Sequence, residues 1–334
     1  MLVIVNRINN KPQKRWPFKI KKYIEENYNI TTYCGELLSR DKRLFVGKRI
    51  LDSNRQDTGM VEQLTDYLNP SNTLIHYRNT GIANLRKLQE EIDEEIKIIN
   101  SIESISTTST KHIAQFKAIK SGISTPDTYP QIVSKKTLLP FDYFYEIKKL
   151  VTKAFEERKW NSCILKPCRT SLAKRQNFGK FTYRFHKDSY KNQLEDINLS
   201  ALNVPNYFVQ EEVIFNRLMR FIIIGGKILE EAVTYDFPRG DDWKCSVCMN
   251  PQILHEKNPT SESLEFINQL TSKVSKTNEI GLSYIDIFDT DSGYIFNEAN
   301  LSCNLTYHET LTKYPIVNTI GDYLVSQHTE YLQG

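Results

Sequence analysis

The chain has 334 residues, 40% hydrophobic and 25% charged, the profile of a soluble globular protein with room for two or three structural units. Its net charge of +4 argues against a strongly basic nucleic-acid surface, and no apolar run approaches the ~20 residues that span a bilayer. Six cysteines at irregular spacing argue against a disulfide framework, and the C-x-x-C of Cys245 and Cys248 lacks the second ligand pair of a zinc site. The expectation is a cytoplasmic protein with no nucleic-acid and no membrane partner.

The first hundred residues alternate strand-like and helix-like patterns. "MLVIV" has no basic segment before it and no cleavage site after it, so it reads as a buried first strand. "KPQKRWPFKIKK" (11–22) is basic and carries Trp16 and Phe18; a solvated segment with two core-anchoring aromatics is preferred to a base-stacking surface. "FKIKKYIEENY" has helical spacing, "NTLIHYRN" reads as a strand, and "ANLRKLQEEIDEEIKIINSI" (83–102) as a long amphipathic helix. Such alternation favours a small open α/β unit. "SISTTST" (104–110) suits a linker or helix cap, and "KHIAQFKAIKSGISTPDTY" a helix stopped at Gly122, then an extended run through Pro126.

"PFDYFYEIKKLVTKAFEERKW" is helical by its spacing, and "CILKP" (163–167) and "FTYRF" are strands around the polar loop "CRTSLAKRQNFGK". That loop carries Arg169, Lys174, Arg175 and Lys180 with the hydroxyls of Thr170 and Ser171. It suits either closure over a polyphosphate or plain solvation. "YFVQEEV" is a strand, and "RFIIIGGKILEEAVTY" a hairpin with a tight Gly-Gly turn. A loop with Arg239 and Lys244, the helix "SESLEFINQLTSKVSKTN", two strands and a closing helix near "VNTIGDYLVSQH" complete the chain.

The two late strands carry the chemistry. "SYIDIFDTDSGYIFNEAN" (283–300) looks like a hairpin with its turn at Asp291–Gly293, and Glu298 and Asn300, two apart, share a strand face. Pairing brings Asp286 to the same side. Two carboxylates and an amide oxygen repel one another unless a cation joins them, and such hard donors suit Mg²⁺ beside substrate phosphates. A solvated strand end is the alternative. Lys166, closing an apolar strand, can reach a cleft as a point charge for phosphate.

In this order the pieces resemble the ATP-grasp superfamily, in particular its carboxylate–amine ligases such as ribosomal-protein glutamate ligases and peptide maturases. The matching pieces, over about residues 105 to 310, are Lys111 leading a helix into "GISTPDT", Lys166–Pro167 ending a strand, "VQEEV", Arg220 in "RFIIIGGKI", and Asp286 twelve residues before Glu298-x-Asn300. The resemblance implies an α/β (α+β) protein with the ATP-grasp fold and an N-terminal open α/β pre-ATP-grasp domain. Its implied division is 1–105, a central lid subdomain 106–205, and a C-terminal subdomain 206–334 with the metal site.

It further implies ATP and one or two Mg²⁺, with Mn²⁺ as an alternative, held by Asp286, Glu298 and Asn300. Lys111 and Lys166 would bind phosphate, and the hinge Gln210, Glu211, Glu212 and Val213 would recognise adenine through backbone groups. Arg220 would stabilise the transferring phosphoryl group, Arg239 would bind a substrate carboxylate, and Lys244 would contact nucleotide phosphate or substrate. The implied reaction is amide formation through an acylphosphate, on a peptide or small-molecule acid. Related ligases are often dimers or tetramers, which leaves a homo-oligomer open.

Two departures stand out. The loop after Lys166 has no glycine before Gly179, and the acid that many members carry before the hairpin arginine falls at Leu218. Either Asn216 substitutes for it or the ribose is held differently. A kinase of a small anionic hydroxylated substrate and a degenerate nucleotide-binding module are the competing readings.

Overall fold

The expected first strand forms as β1 (Leu2–Asn6), and the helix after it, α1 (Arg15–Tyr28), begins earlier than its periodicity alone suggests. The computed structural model describes residues 2–6, 15–40, 43–47, 61–63, 74–78, 86, 90, 97–104, 110–135, 139–168, 182–197, 206–229, 232–236, 252–256, 259–274, 282–301 and 305–333. Trp16, Ile20 and Ile24 recur every four residues of α1 and are all buried, so one stripe of the helix faces the core. Phe18 lies off that stripe and is exposed, which corrects the expectation of two anchoring aromatics.

β1 pairs in parallel with β2 (Thr32–Arg40) and β5 (Leu74–Arg78), and the antiparallel β3 (Arg43–Gly47) and β4 (Val61–Gln63) extend the β2 edge. On the other side β6 (Lys97–Ile99) pairs in parallel with β5. This overturns part of the helix expected over 83–102. Arg86 and Glu90 are helical, but "KII" adds to the open edge of β5. Backbone pairing at a sheet edge outweighs local helical periodicity there, and β-branched residues favour it.

A second sheet holds β7 (Thr128–Ser134), β8 (Ser162–Pro167), β9 (Tyr183–His186) and β10 (Asn206–Glu211) in the antiparallel order β7-β10-β8-β9. Before it lies α2 (Lys111–Lys120), closed by Gly122 at φ +70°, and α3 (Pro140–Glu157) buries Tyr143, Ile147, Leu150, Val151 and Ala154 against it. The short α4 (Tyr190–Glu195) follows β9. Most of the basic loop, 169–181, lies outside the described residues.

The third sheet contains β11 (Arg217–Ile224), β12 (Lys227–Ile228), β13 (Ala232–Asp236), β14 (Gln252–Glu256), β15 (Leu282–Thr290) and β16 (Gly293–Asn300). Its order is β14-β13-β11-β15-β16, with β12 pairing only β11. Helix α5 (Ser261–Val274) precedes β15, and α6 (Leu305–Thr312) and α7 (Ile316–Gln333) end the described chain. The Gly-Gly turn between β11 and β12 forms as expected, with φ +57° at Gly225 and +75° at Gly226. A Cβ on Gly225 would lie 2.5 Å from the Tyr323 ring, so glycine is needed there for space as well as conformation.

The first and third sheets share one core. Leu2, Ile4, Trp16, Ile20, Ile24 and Ile99 pack with Ile222, Ile224, Leu282, Ile316, Ile320 and Leu324. The buried side chain of Asn100 fixes the join, because its Nδ2 donates to the Leu282 carbonyl at 3.1 Å and its Oδ1 accepts from the Leu282 N–H at 2.9 Å. Two polar backbone groups at a strand start are thereby satisfied without water.

Candidate functional site

Three neighbouring strands of the third sheet put charged residues in one rung. Arg220 on β11 is the direct partner of Asp286 on β15, and Asp286 is the direct partner of Glu298 on β16. Residues opposite one another share a face, so an arginine and two carboxylates project together. The expected hairpin is present and Asp286 lies on the Glu298 side as expected, but a regular register would have paired it with Asn297. The hairpin contains a bulge that the sequence did not announce: Asp286 faces Glu298 while Ile287 faces Phe296, leaving Asn297 as the extra residue. The bulge lets Phe296 stay in the core while Glu298 and Asn300 lie on the face of Asp286.

Arg220 holds Asp286 bidentately, with Nε to Oδ1 and Nη2 to Oδ2 both at 2.6 Å. The two side chains are only 12% and 2% exposed, and the guanidinium also lies 5.8 Å from the centre of the Tyr284 ring. Burial, the largest influence, raises the Asp286 carboxyl above its ordinary value, Arg220 and Lys111 oppose this, and the nearby Glu298 charge adds to it. Two short N–H···O bonds in fork geometry are those of a carboxylate with a guanidinium.

Glu298 is held from two sides. Asn300 Nδ2 donates to Oε1 at 2.8 Å, and Lys111 Nζ forms an ion pair with Oε2. Burial acts to raise this carboxyl, but Lys111, Asn300 and Lys166 outweigh it and bring it down to about 2. Glu298 is thus ionised at neutral pH. Asn300 Nδ2 also stands 3.5 Å from Asp286 Oδ2, so the amide bridges the carboxylates.

Lys111 arrives there because α2 is tied to the bulge. Gln115, one turn along, is buried and its Nε2 donates to the carbonyls of Phe296 and Asn297. The Lys111 N–H donates to the Cys168 carbonyl at 2.9 Å, which links the start of α2 to the end of β8. Lys166 on β8 donates to Gln210 Oε1 at 2.8 Å and reaches Asn297 Oδ1 of the third sheet at 3.5 Å. Three cations, Lys111, Lys166 and Arg220, thus face two carboxylates, an excess of positive charge that suits a polyphosphate.

The hinge residues are used differently from one another. Gln210 is 1% exposed and its Nε2 donates to Thr128 Oγ1 at 3.1 Å, so its side chain orients Lys166 from within the second sheet. Glu212 accepts from Arg184 Nε at 2.8 Å. Glu211 is half-buried near Asp127, and burial with that neighbour's charge raises its carboxyl. The strand ends at Glu211 rather than at Val213, and residues 212–215 carry the chain from the second sheet to the third. Asn216 is exposed and donates to Asp291 Oδ1 at 2.9 Å, on the turn of the β15–β16 hairpin.

Leu218 is buried with Val233 and Phe288, so the rung beyond Arg220 on this face is apolar. Arg239, Lys244, Cys245 and Cys248 lie outside the described residues. Gln115, Asn297, Thr128 and Arg184 were missed by sequence reasoning. Only Gln115, a polar residue among apolar helix positions, carried a local signal.

The donor set fits a hard divalent cation. Asp286 and Glu298 offer carboxylate oxygens from adjacent strands, one carboxylate is ionised, and Asn300, whose Nδ2 faces both acids, would offer its Oδ1 after the amide turns over. Among the described residues no group of three or more His, Cys, Asp or Glu side chains comes together, so a metal here would rest on two carboxylates and the amide.

Compared by sequence, the chain matches no family model and no curated protein. Compared by structure, it is similar to D-cycloserine synthetase DcsG, with a TM-score of 0.62 and 10% identity over 98% of this chain and 99% of that one. It is also similar to the ATP-grasp ligase PsnB complexed with minimal precursor, Mg and ADP, with a TM-score of 0.58 and 14% identity over 98% and 97%. D-alanyl-alanine synthetase A from Vibrio cholerae matches with a TM-score of 0.61 and 16% identity over 100% and 99%. At such identities the likeness establishes the fold, and nearly the whole of each chain shares it.

Proposed function

With the ATP-grasp fold as premise, we propose that this chain is an ATP-dependent carboxylate–amine ligase that forms an amide bond through an acylphosphate. The observation that carries the reading is the single rung of Arg220, Asp286 and Glu298, with Lys111 and Lys166 converging on it from a helix and a second sheet. That arrangement neutralises charge where phosphoryl groups would lie, and positioning with charge neutralisation is most of what phosphoryl transfer needs. The solved complex of PsnB with precursor, Mg and ADP supports a peptide or amino-acid substrate beside Mg-ATP. Three sheets support three units, proposed as 1–105, 106–205 and 206–334, with β10 (Asn206–Glu211) pairing in the second sheet and so moving the last boundary to the end of that strand.

Lys111 and Lys166 bind the nucleotide phosphates, and backbone groups of the Glu211–Val213 segment meet adenine. Asp286, Glu298 and Asn300 would hold a divalent metal, which would supply charge neutralisation to those phosphates. A substrate carboxylate oxygen attacks the γ-phosphorus, the bond to the bridging oxygen breaks, and ADP leaves. Arg220, locked on Asp286, keeps positive potential beside the transferring group. An amine then attacks the acyl carbon; the amide forms, phosphate departs, and the amine gives up a proton. Arg239 is assigned to the substrate carboxylate and Lys244 to nucleotide phosphate or substrate.

The test is ADP and phosphate release from Mg-ATP with small-molecule and peptide fractions of a cell extract. Equal ADP and phosphate, only with a fraction present, is the expected result. ADP without phosphate, in phosphatase-free fractions, would replace the ligase by a kinase. Localisation in the cytoplasm belongs to the same proposal; among the described residues no helix is long and apolar enough to cross a membrane.

A further inference from the structure

Every carboxylate oxygen of the acidic rung already has an N–H partner. Arg220 takes both oxygens of Asp286, Asn300 takes Oε1 of Glu298, and Lys111 takes Oε2. The two cations differ in kind. Arg220 is a rigid fork on a nearly buried acid. Lys111 is a point charge on a flexible stem, with its side chain 17% exposed, and its backbone is held by Cys168. Gln115 pins the same helix to the bulge, so Nζ can leave Glu298 by side-chain rotation alone.

We infer that Lys111 neutralises Glu298 at Oε2 until a nucleotide phosphate draws it away, so that metal and nucleotide enter together and metal alone is refused. This rests on the proposed Mg-ATP site. A divalent ion approaching Oε2 meets the lysine charge at ion-pair distance, and like charges repel. A triphosphate offers Lys111 new oxygens of higher negative charge, and the exchange frees Oε2. The coupling is reciprocal: whatever metal gains from nucleotide, nucleotide gains from metal. Lys111 therefore acts as a positioning residue for the metal and a ligand for the phosphate in turn.

The experiment is Mn²⁺ binding to the purified full chain, read from the electron paramagnetic resonance of free Mn²⁺, with and without a non-hydrolysable ATP analogue. Wild type is expected to bind Mn²⁺ at least about tenfold more tightly with the analogue than without it, a difference of about 1.4 kcal/mol. Lys111→Met is expected to bind Mn²⁺ alone at least about tenfold more tightly than wild type. Lys111→Arg, which keeps the cation, retains weak binding, and adding Glu298→Gln to Lys111→Met removes the gain. Lys111→Gln serves in place of the Met variant if circular dichroism shows that variant unfolded.

Equal Mn²⁺ affinity of wild type and Lys111→Met without analogue, lost in both on Glu298→Gln, would overturn the gating role and leave the metal site standing. Mn²⁺ binding indifferent to Glu298 in every form, analogue included, would remove the site itself and the gating role with it.

Discussion

Glu298→Gln tests both the electrostatics and the chemistry of the rung. In the folded chain the Glu298 carboxyl is lowered from 4.5 to about 2, and its side chain is only 18% exposed. A lowered folded-state value means that the ionised form stabilises the fold: the contribution is complete above about pH 4.5 and is lost as pH falls toward about 2. Hydrogen bonds to a charged group are worth on the order of 1.5–3 kcal/mol, and that contribution fades as pH falls below the ordinary carboxylate range. Glutamine mimics the protonated side chain, so the variant is expected to lose about 1.5–3 kcal/mol at pH 7 and to converge on wild type as the medium is acidified.

Urea unfolding followed by far-ultraviolet circular dichroism between pH 3 and 7 reads the difference, on the order of 1 unit apart per titration. The same variant should fold cooperatively yet form ADP at least about a hundredfold more slowly, the scale on which one electrostatic group acts at a site of charge transfer. Full turnover would show the metal assignment to be wrong. Unfolding curves that stay parallel to wild type over the whole range would show that Glu298 is not the strongly held carboxylate.

Arg220→Met leaves Asp286 buried without its fork, so burial drives the carboxyl toward its neutral form and the broken pair should cost about 3–5 kcal/mol. Adding Asp286→Asn should recover part of this loss, and a double-mutant cycle with no coupling would contradict the bidentate pair. Gly225→Ala should destabilise by about 1–3 kcal/mol, because the left-handed φ and the Tyr323 ring both oppose a side chain. A thermal melt unchanged within error would be the contrary result. Gln210→Met removes the acceptor of Lys166 inside the second sheet, so KM for ATP should rise about tenfold while the fold persists. Gln210→Glu, which keeps an acceptor, should restore most of the affinity, and equal KM for all three would show that Gln210 does not position Lys166.

Much of the architecture was legible in the amino-acid order because short-range rules decide it. Period two placed Glu298 and Asn300 on one strand face, the Gly-Gly pair marked a left-handed turn, and helical spacing marked α1, while its buried stripe of Trp16, Ile20 and Ile24 emerged only in the fold. The hairpin was readable too, but a regular register from its short turn would pair Asp286 with Asn297, and the bulge that pairs it with Glu298 instead was not. The end of the 83–102 stretch was not. Its helical spacing is real, but the open edge of β5 offered Lys97–Ile99 a backbone ladder, and periodicity carries no information about an edge far away in sequence.

The site divides the same way. Residue types and order pointed to Lys111, Lys166, Arg220, Asp286, Glu298 and Asn300, because cations and hard oxygen donors are needed wherever phosphates are held. Which cation meets which acid was decided only by tertiary structure. The bulge at Asn297 is local to its hairpin, but the Gln115 bonds that anchor α2 to it and the burial of Gln210 between Thr128 and Lys166 depend on partners more than 40 residues away. Local sequence sets what a side chain can offer, and long-range packing sets what it is offered to, since a hydrogen bond or ion pair depends on distance and desolvation that only the folded chain supplies.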